Sequence, residues 1–159
     1  MLLANSLVAE KIFTSTDHHL GIYRTHATPS IDRVEELHTY LSGLGYPTKM
    51  VRGVIPPASL RAILQETKSD IERDAISLAI ARSMQKALYT VTDTGHFGLA
   101  LEHYTHFTSP IRRYPDVMVH RMLQDIIDGN PTSKRDALKL EGQAKHSTCL
   151  LYTSDAADD

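Results

Sequence analysis

"GHFGLALEHYTHFTSPIRRYPDVMVHRML" spans residues 95–123. It gathers His96, His103, His106, a His120-Arg121 pair, Glu102, adjacent Arg112 and Arg113, and the run Tyr114-Pro115-Asp116. Ser109 followed by Pro110 reads as a helix start, because serine is favoured at the N-cap and proline at the first helical position. On that reading Arg112 and Arg113 fall in the first turn. Free backbone N–H groups and the positive end of the helix dipole then make an anion site. A guanidinium matches a phosphate bidentately and keeps its proton, so the pattern suits a phosphodiester. Pro115 would fall inside this helix, costing about 3 kcal/mol and kinking it. Beyond the kink Met118, Met122 and Ile126 form an apolar stripe, and Asp116 is placed to orient His120 four residues on. The alternative stays open: both arginines are solvated surface, and Asp116 simply pairs with Arg112 or Arg113.

Working outward, residues 2–13 read as a helix and TSTDHH (14–19) as a turn. GIYRTH (21–26) alternates like a short strand, with Ile22, Arg24 and His26 set against Tyr23 and Thr25. Ser30 is an N-cap candidate for a helix over Arg33–Leu44, where Val34, Leu37, Leu41 and Leu44 share one face and Gly43 and Gly45 stop it. Short and longer helices are expected over Ser59–Thr67 and Ser69–Ala87. Tyr89–Val91 and Phe97–Leu101 are strand candidates flanking the turn Asp93-Thr94-Gly95. A helical pattern returns over Lys134–Ala144. No internal repeat or low-complexity linker interrupts the chain. The expected fold class is α+β, predominantly helical, with a few short strands near residues 95–110.

The chain has 159 residues, 42% hydrophobic, with a net charge of −2. That is enough for one domain with a core and excludes a disordered chain. No apolar run approaches the roughly 20 residues of a membrane span, and the start lacks the pattern of a signal peptide. The single cysteine, Cys149, forms no internal disulfide, which fits a reducing, cytoplasmic setting. The net charge argues against nucleic-acid binding by bulk electrostatics, although a local basic cluster can act alone. Tryptophan is absent and there are three Phe, so base stacking would fall to Tyr or His.

Glu102, His103 and His106 invite a metal reading, but no third protein ligand sits at standard spacing, and on a strand the two imidazoles face opposite ways. Asp70, Asp74 and Asp93 are scattered. Phosphate-loop, serine-hydrolase and Cys-x-x-Cys motifs are missing. His18-His19 reads as a turn pair, and Met84, Met118 and Met122 as core fillers.

HFGLALEHYTHFTSPIRRYPDVMVHRML resembles the RNB catalytic domain of the ribonuclease II / ribonuclease R family, and is closer to the ribonuclease R side. LLANSLVAEKI and GIYRTHATPSIDRVEELHTYLSGLGY extend the resemblance over about residues 1–148, as the C-terminal portion of that domain. It implies a partial RNB fold and a hydrolytic 3′→5′ exoribonuclease that releases nucleoside 5′-monophosphates from a single-stranded 3′ end. It implies Mg²⁺ in a monomeric, membrane-free parent. It places Arg112 at the scissile phosphate as the catalytic residue, and Thr108, Ser109, Arg113, Tyr114 and His106 on the RNA. The aspartate motif that holds the metal in such enzymes does not occur here, nor do flanking RNA-gripping domains, so the chain alone is expected not to turn RNA over. The helix starting at Met1 without a capping residue fits an internal methionine, and residues 149–159 read as a non-native, adapter-like tail. The alternative function is a non-catalytic, helical RNA- or phosphate-binding module.

Overall fold

The computed structural model describes residues 1–131 and 136–155. The chain divides into two compact units, one formed by Met1–His26 with Ala87–Asp159 and the other by Ala27–Lys86. Each has its own core, in place of the single core that the length suggested.

In the first unit, α1 (Leu2–Ser15) buries Asn5, Ala9 and Ile12. A short 3₁₀ turn, Asp17–His19, holds His18 and His19 at φ 56° and 57°, a region few non-glycine residues adopt. β1 (Tyr23–Thr25) pairs antiparallel with β2 (Leu88–Thr90), with Arg24 opposite Tyr89. The alternation read over residues 21–26 does not divide a wet face from a dry one: Ile22, Tyr23, Thr25 and His26 are all buried. α5 (Tyr114–Ile127) and α6 (Ala137–Asp155) complete the unit. Ile12, Tyr23, Met118, Val119, Met122, Leu140 and Ala144 share the core, with Ile126 packed against it, so the expected Met118–Met122–Ile126 stripe faces inward. α6 runs on beyond Ala144, where the periodic pattern ends. Of the residues expected in that helix and in the tail, Lys134, Arg135 and 156–159 lie outside those described.

The second unit is three helices: α2 (Ile31–Gly43), α3 (Pro57–Glu66) and α4 (Asp70–Ser83). Val34, Leu37 and Leu41 of α2 meet Leu60, Ile63 and Ile76. Leu44, expected on the same face, is exposed because the helix has already ended. Gly45 at φ 90° stops it: its N–H donates to the Ser42 carbonyl and that of Tyr46 to the Leu41 carbonyl, the paired bonds of a Schellman turn. At the start of α4, the Ser69 hydroxyl accepts from the Glu72 N–H, while the Glu72 carboxylate accepts from the Lys68 N–H. α4 ends at Ser83, short of the expected Ala87, and Met84 is extended. Arg33 donates to the terminal carbonyls of Arg82 and Met84, completing that end.

Two further expectations are corrected. Phe97–Leu101 is not a strand. Phe97–Leu99 forms a 3₁₀ turn, Ala100 is left-handed, and the segment is folded back by an isolated bridge between His96 and Leu101. No helix starts at Pro110. Residues 110–112 make one turn, closed by the Arg112 and Arg113 N–H groups on the Ser109 carbonyl, and the chain breaks at an extended Arg113. α5 then begins at Tyr114 with Pro115 in its first turn. The reason is Pro115 itself: it has no N–H to return to Ile111, so the turn cannot propagate, whereas a first helical turn needs no such donor. The kink is therefore a break and a restart.

Among the described residues no helix is long and apolar enough to cross a membrane. Packing around Gly21 gives a stability test. A Cβ there would stand 2.7 Å from the Tyr23 ring and 2.8 Å from the Ile12 side chain. Gly21→Ala should therefore lower stability by about 1–3 kcal/mol. Gly43, with nothing within 4 Å of such a Cβ, is the control. Gly43→Ala should be neutral or stabilising by up to about 1 kcal/mol, read from urea midpoints.

Candidate nucleic-acid interface

The segment 103–113 crosses the first unit as irregular backbone, and α1 pins its first half. Asn5 Nδ2 donates to the Tyr104 hydroxyl at 3.2 Å, Asn5 Oδ1 accepts from the Phe107 N–H at 3.2 Å, and the Ser6 hydroxyl donates to the His103 carbonyl at 3.0 Å. Thr105, fully buried, donates to the Ile22 carbonyl.

Asp116 pins the second half. Its carboxylate is fully buried. Oδ2 accepts from the Ser109 N–H at 2.8 Å and from Arg113 Nη2 at 2.9 Å. The alternative reading of Asp116 is thus the one realised for Arg113, and the anion at the helix start is the protein's own carboxylate. Asp116 does not orient His120. That imidazole turns instead to the Phe107 carbonyl through Nε2 at 2.9 Å and stacks on the Phe107 ring at 4.1 Å.

The loop so braced presents Arg112 and a fully exposed Ile111. Among the described residues Arg112 forms no ion pair. It borders a groove of about 270 Å³ lined also by Tyr89, Arg113, Tyr114, Pro115, Ser147 and Leu150. Ser109 and Thr108 stand behind the loop, half-buried; the Thr108 hydroxyl has no hydrogen-bond partner.

Behind the groove lies a ring cluster that the sequence did not reveal. The Tyr89 hydroxyl and His106 Nδ1 are 2.7 Å apart. Tyr104 meets both His106 and His96 edge-on, at 5.7 and 5.3 Å between centroids, and His96 stacks on His26 at 5.0 Å. Arg24 lies 4.8 Å above the Tyr89 ring. Burial, with Arg113 and Arg24 adding like charge, pushes the His106 imidazole down to about 4. Burial, helped by His26, pushes His96 down to about 4. Burial pushes the Tyr89 phenol up to about 12, against the opposing pull of Arg24 and Arg113. Both imidazoles are therefore neutral near pH 7, and His106 meets the site as a hydrogen-bonding group rather than a cation.

His103 is separated from His106. Its Nδ1 pairs at 2.7 Å with Asp93, whose side chain is buried and whose other oxygen accepts from the Gly95 N–H. Glu102 is exposed. Among the described residues no group of three or more His, Cys, Asp or Glu side chains is placed to hold a metal ion. The donor set here is cationic and neutral, which does not fit a divalent ion.

Two expectations follow. Asp116→Ala leaves Arg113 buried without its counter-charge and frees the Ser109 N–H, so stability should fall by about 3–5 kcal/mol in urea melts. His96 and His106 bind protons more weakly folded than unfolded, so their contribution is complete above about pH 6.5 and is lost as pH falls toward 4. The urea midpoint should drop across pH 6.5 to 5, and His106→Gln should remove roughly half of that slope.

Comparison with known proteins gives this geometry a family. The model of the RNB domain matches residues 1–129. Ribonuclease R of Aquifex aeolicus is 40% identical over 162 aligned residues, covering 99% of this chain and 22% of that protein. Ribonuclease R of Thermotoga maritima is 41% identical over 133, covering 82% and 18%. Among solved structures, yeast Ssd1, described as a pseudonuclease, aligns with a TM-score of 0.80 at 29% identity, covering 91% of this chain and 18% of that one. Mycoplasma genitalium RNase R in complex with double-stranded RNA aligns at 0.77 and 27% identity, covering 93% and 27%. The chain thus spans about a fifth of the length of the curated relatives it matches. With most of its residues matched by the family model and its fold shared with solved RNase R, this chain belongs to the RNB domain family.

Proposed function

We propose that this chain is the arginine-bearing part of a hydrolytic 3′→5′ exoribonuclease of the ribonuclease R kind, acting in the cytoplasm as a monomer on single-stranded 3′ ends. The observation that carries the reading is Arg112: an exposed guanidinium without an ion-pair partner among the described residues, held beside a groove by a loop locked from behind. In phosphodiester hydrolysis water attacks phosphorus and the 3′ oxygen of the preceding nucleotide leaves, giving a nucleoside 5′-monophosphate. Negative charge spreads over the phosphoryl oxygens in between, and Arg112 stabilises it by donating from a fixed position.

The other RNA residues divide by position. Arg113 is half-buried and committed to Asp116, so it acts mainly by shaping the loop and by its field. Tyr114, 49% exposed, offers a ring at the groove edge for a ribose or base. Thr108, its hydroxyl buried, shapes the loop from behind, Ser109 contributes its side chain because its N–H is taken by Asp116, and His106 presents a neutral ring. Mg²⁺ would polarise the phosphate and the attacking water, and its ligands would lie outside this chain. The chain alone therefore binds RNA without turning it over.

A non-catalytic RNA- or phosphate-binding module is the second reading, favoured by the likeness to a protein described as a pseudonuclease. The test is made in the longer protein that carries this segment. Arg112→Ala should lower kcat by roughly 10²–10³ with KM little changed, as expected when a donor acts in the transition state. RNA binding that Arg112→Ala weakens, in a longer protein that releases no nucleotides even before substitution, would favour the second reading. Mononucleotide release by the purified chain would contradict its proposed inactivity.

A further inference from the structure

Arg24 has no part in the ribonuclease reading. It stands on β1 directly across from Tyr89 on β2, and its guanidinium lies over the Tyr89 ring at 4.8 Å. Among the described residues no carboxylate lies within ion-pair distance of it. Its Nη1 is closed to solvent and has no hydrogen-bond partner. Withdrawing a guanidinium from water is costly, and a cation–π contact offsets only part of that cost. Because solvent does not reach Nη1, the compensating anion has to come from inside the protein.

One buried carboxylate has capacity left. Asp116 accepts two bonds at Oδ2, from the Ser109 N–H and from Arg113, while its Oδ1 is buried and accepts none. A carboxylate accepts at both oxygens, and a buried oxygen left idle keeps its desolvation cost unmet. The two side chains share surroundings. Tyr89, whose ring carries Arg24, lines a groove together with Arg113, the partner of Asp116. Burial dominates the proton affinities of the Tyr89 hydroxyl and of His106, 2.7 Å apart, but both groups also feel Arg24 and Asp116, with opposite sign. A buried donor and a buried acceptor in one neighbourhood are ordinarily satisfied together, directly or across a shared water.

We propose that Arg24 is the second counter-charge of Asp116, opposing Oδ1 as Arg113 opposes Oδ2, and is thereby a positioning residue for Arg112. Asp116 fixes the loop from Ser109 to Arg113 on which Arg112 is carried. Arg24 acts on that loop through the carboxylate, and so ties β1 to the start of α5. An arrangement of two guanidiniums about one buried carboxylate is unforgiving of geometry, because moving any member strands a buried charge. The effect on turnover rests on the reading of Arg112 given above; the tie between Arg24 and Asp116 does not.

In the intact chain, urea unfolding of Arg24→Met, Asp116→Asn and the double variant forms a cycle. Arg24→Met should lower the folded-to-unfolded ratio roughly tenfold when Asp116 is present, and leave it level or raised beside Asp116→Asn. Loss of the Tyr89 contact is common to both backgrounds and cancels. Equal effects in the two backgrounds would overturn the pairing. Arg24→Gln supplies the same cycle if Arg24→Met does not fold. Turnover is then measured in the longer protein. Arg24→Met should lower kcat roughly tenfold with KM little changed, and should cause no further loss when added to Arg112→Ala. Arg24→Lys, which keeps the charge, should retain most of the turnover. An unaltered kcat in Arg24→Met, or losses that multiply with those of Arg112→Ala, would overturn the positioning role. Should Arg112→Ala itself leave kcat unchanged, the reading of Arg112 falls and the positioning role with it, while the stability cycle still decides the pairing of Arg24 with Asp116.

Discussion

The interface hangs on one buried carboxylate. Asp116 lies in the first turn of α5, where the helix dipole favours an anion, and it spends that position on the loop ahead of it: one oxygen takes both the Ser109 N–H and the Arg113 guanidinium. A buried ion pair contributes little net stability, but it is unforgiving of geometry, because any other loop conformation would strand a buried charge. α5 is itself fixed by Met118, Val119 and Met122 in the core. The chain of cause therefore runs from apolar packing, through a carboxylate, to the place where Arg112 is held. Hydrophobic burial, which is non-directional, is thereby converted into the fixed position of a charged group.

The second constraint is water exclusion behind the groove. Tyr89, Tyr104, His96, His106 and His26 pack ring against ring, and α1 closes one side through Asn5. Desolvation keeps the imidazoles of His96 and His106 uncharged. The hydrogen bond between the Tyr89 hydroxyl and His106 Nδ1 fixes the orientation of the neutral ring. The cationic character of the region then comes from arginines alone, which no accessible pH removes. A phosphate would meet charge that is constant and rings that do not compete for protons.

Much of this fold could be read from the sequence, where the governing forces are local. The α2 face of Val34, Leu37 and Leu41 and the glycine stop after α2 are signals carried within a few residues, whereas Ser30, read as the cap of α2, stands at its N-cap without a side-chain bond. The failures have a common cause. Phe97–Leu101 has strand composition, but its backbone partners are His26 and its own start, so it folds into a turn. Ser109-Pro110 has the wording of a helix start, yet Pro115 five residues later prevents propagation. β1 is buried on both faces, which alternation cannot announce.

By itself the sequence determined the helical α+β class, the apolar stripe of α5, the RNB resemblance and the clustering of arginines at residues 112–113, since each is written in adjacent residues or in helical periodicity. Tertiary structure alone decided that Asp116 serves Ser109 and Arg113 rather than His120, that His103 and His106 part company, and that Arg24 comes to lie against Tyr89. Those outcomes depend on which strand pairs with which and on what water is excluded. Both are set by contacts between residues far apart in the chain, and a linear pattern holds no record of them.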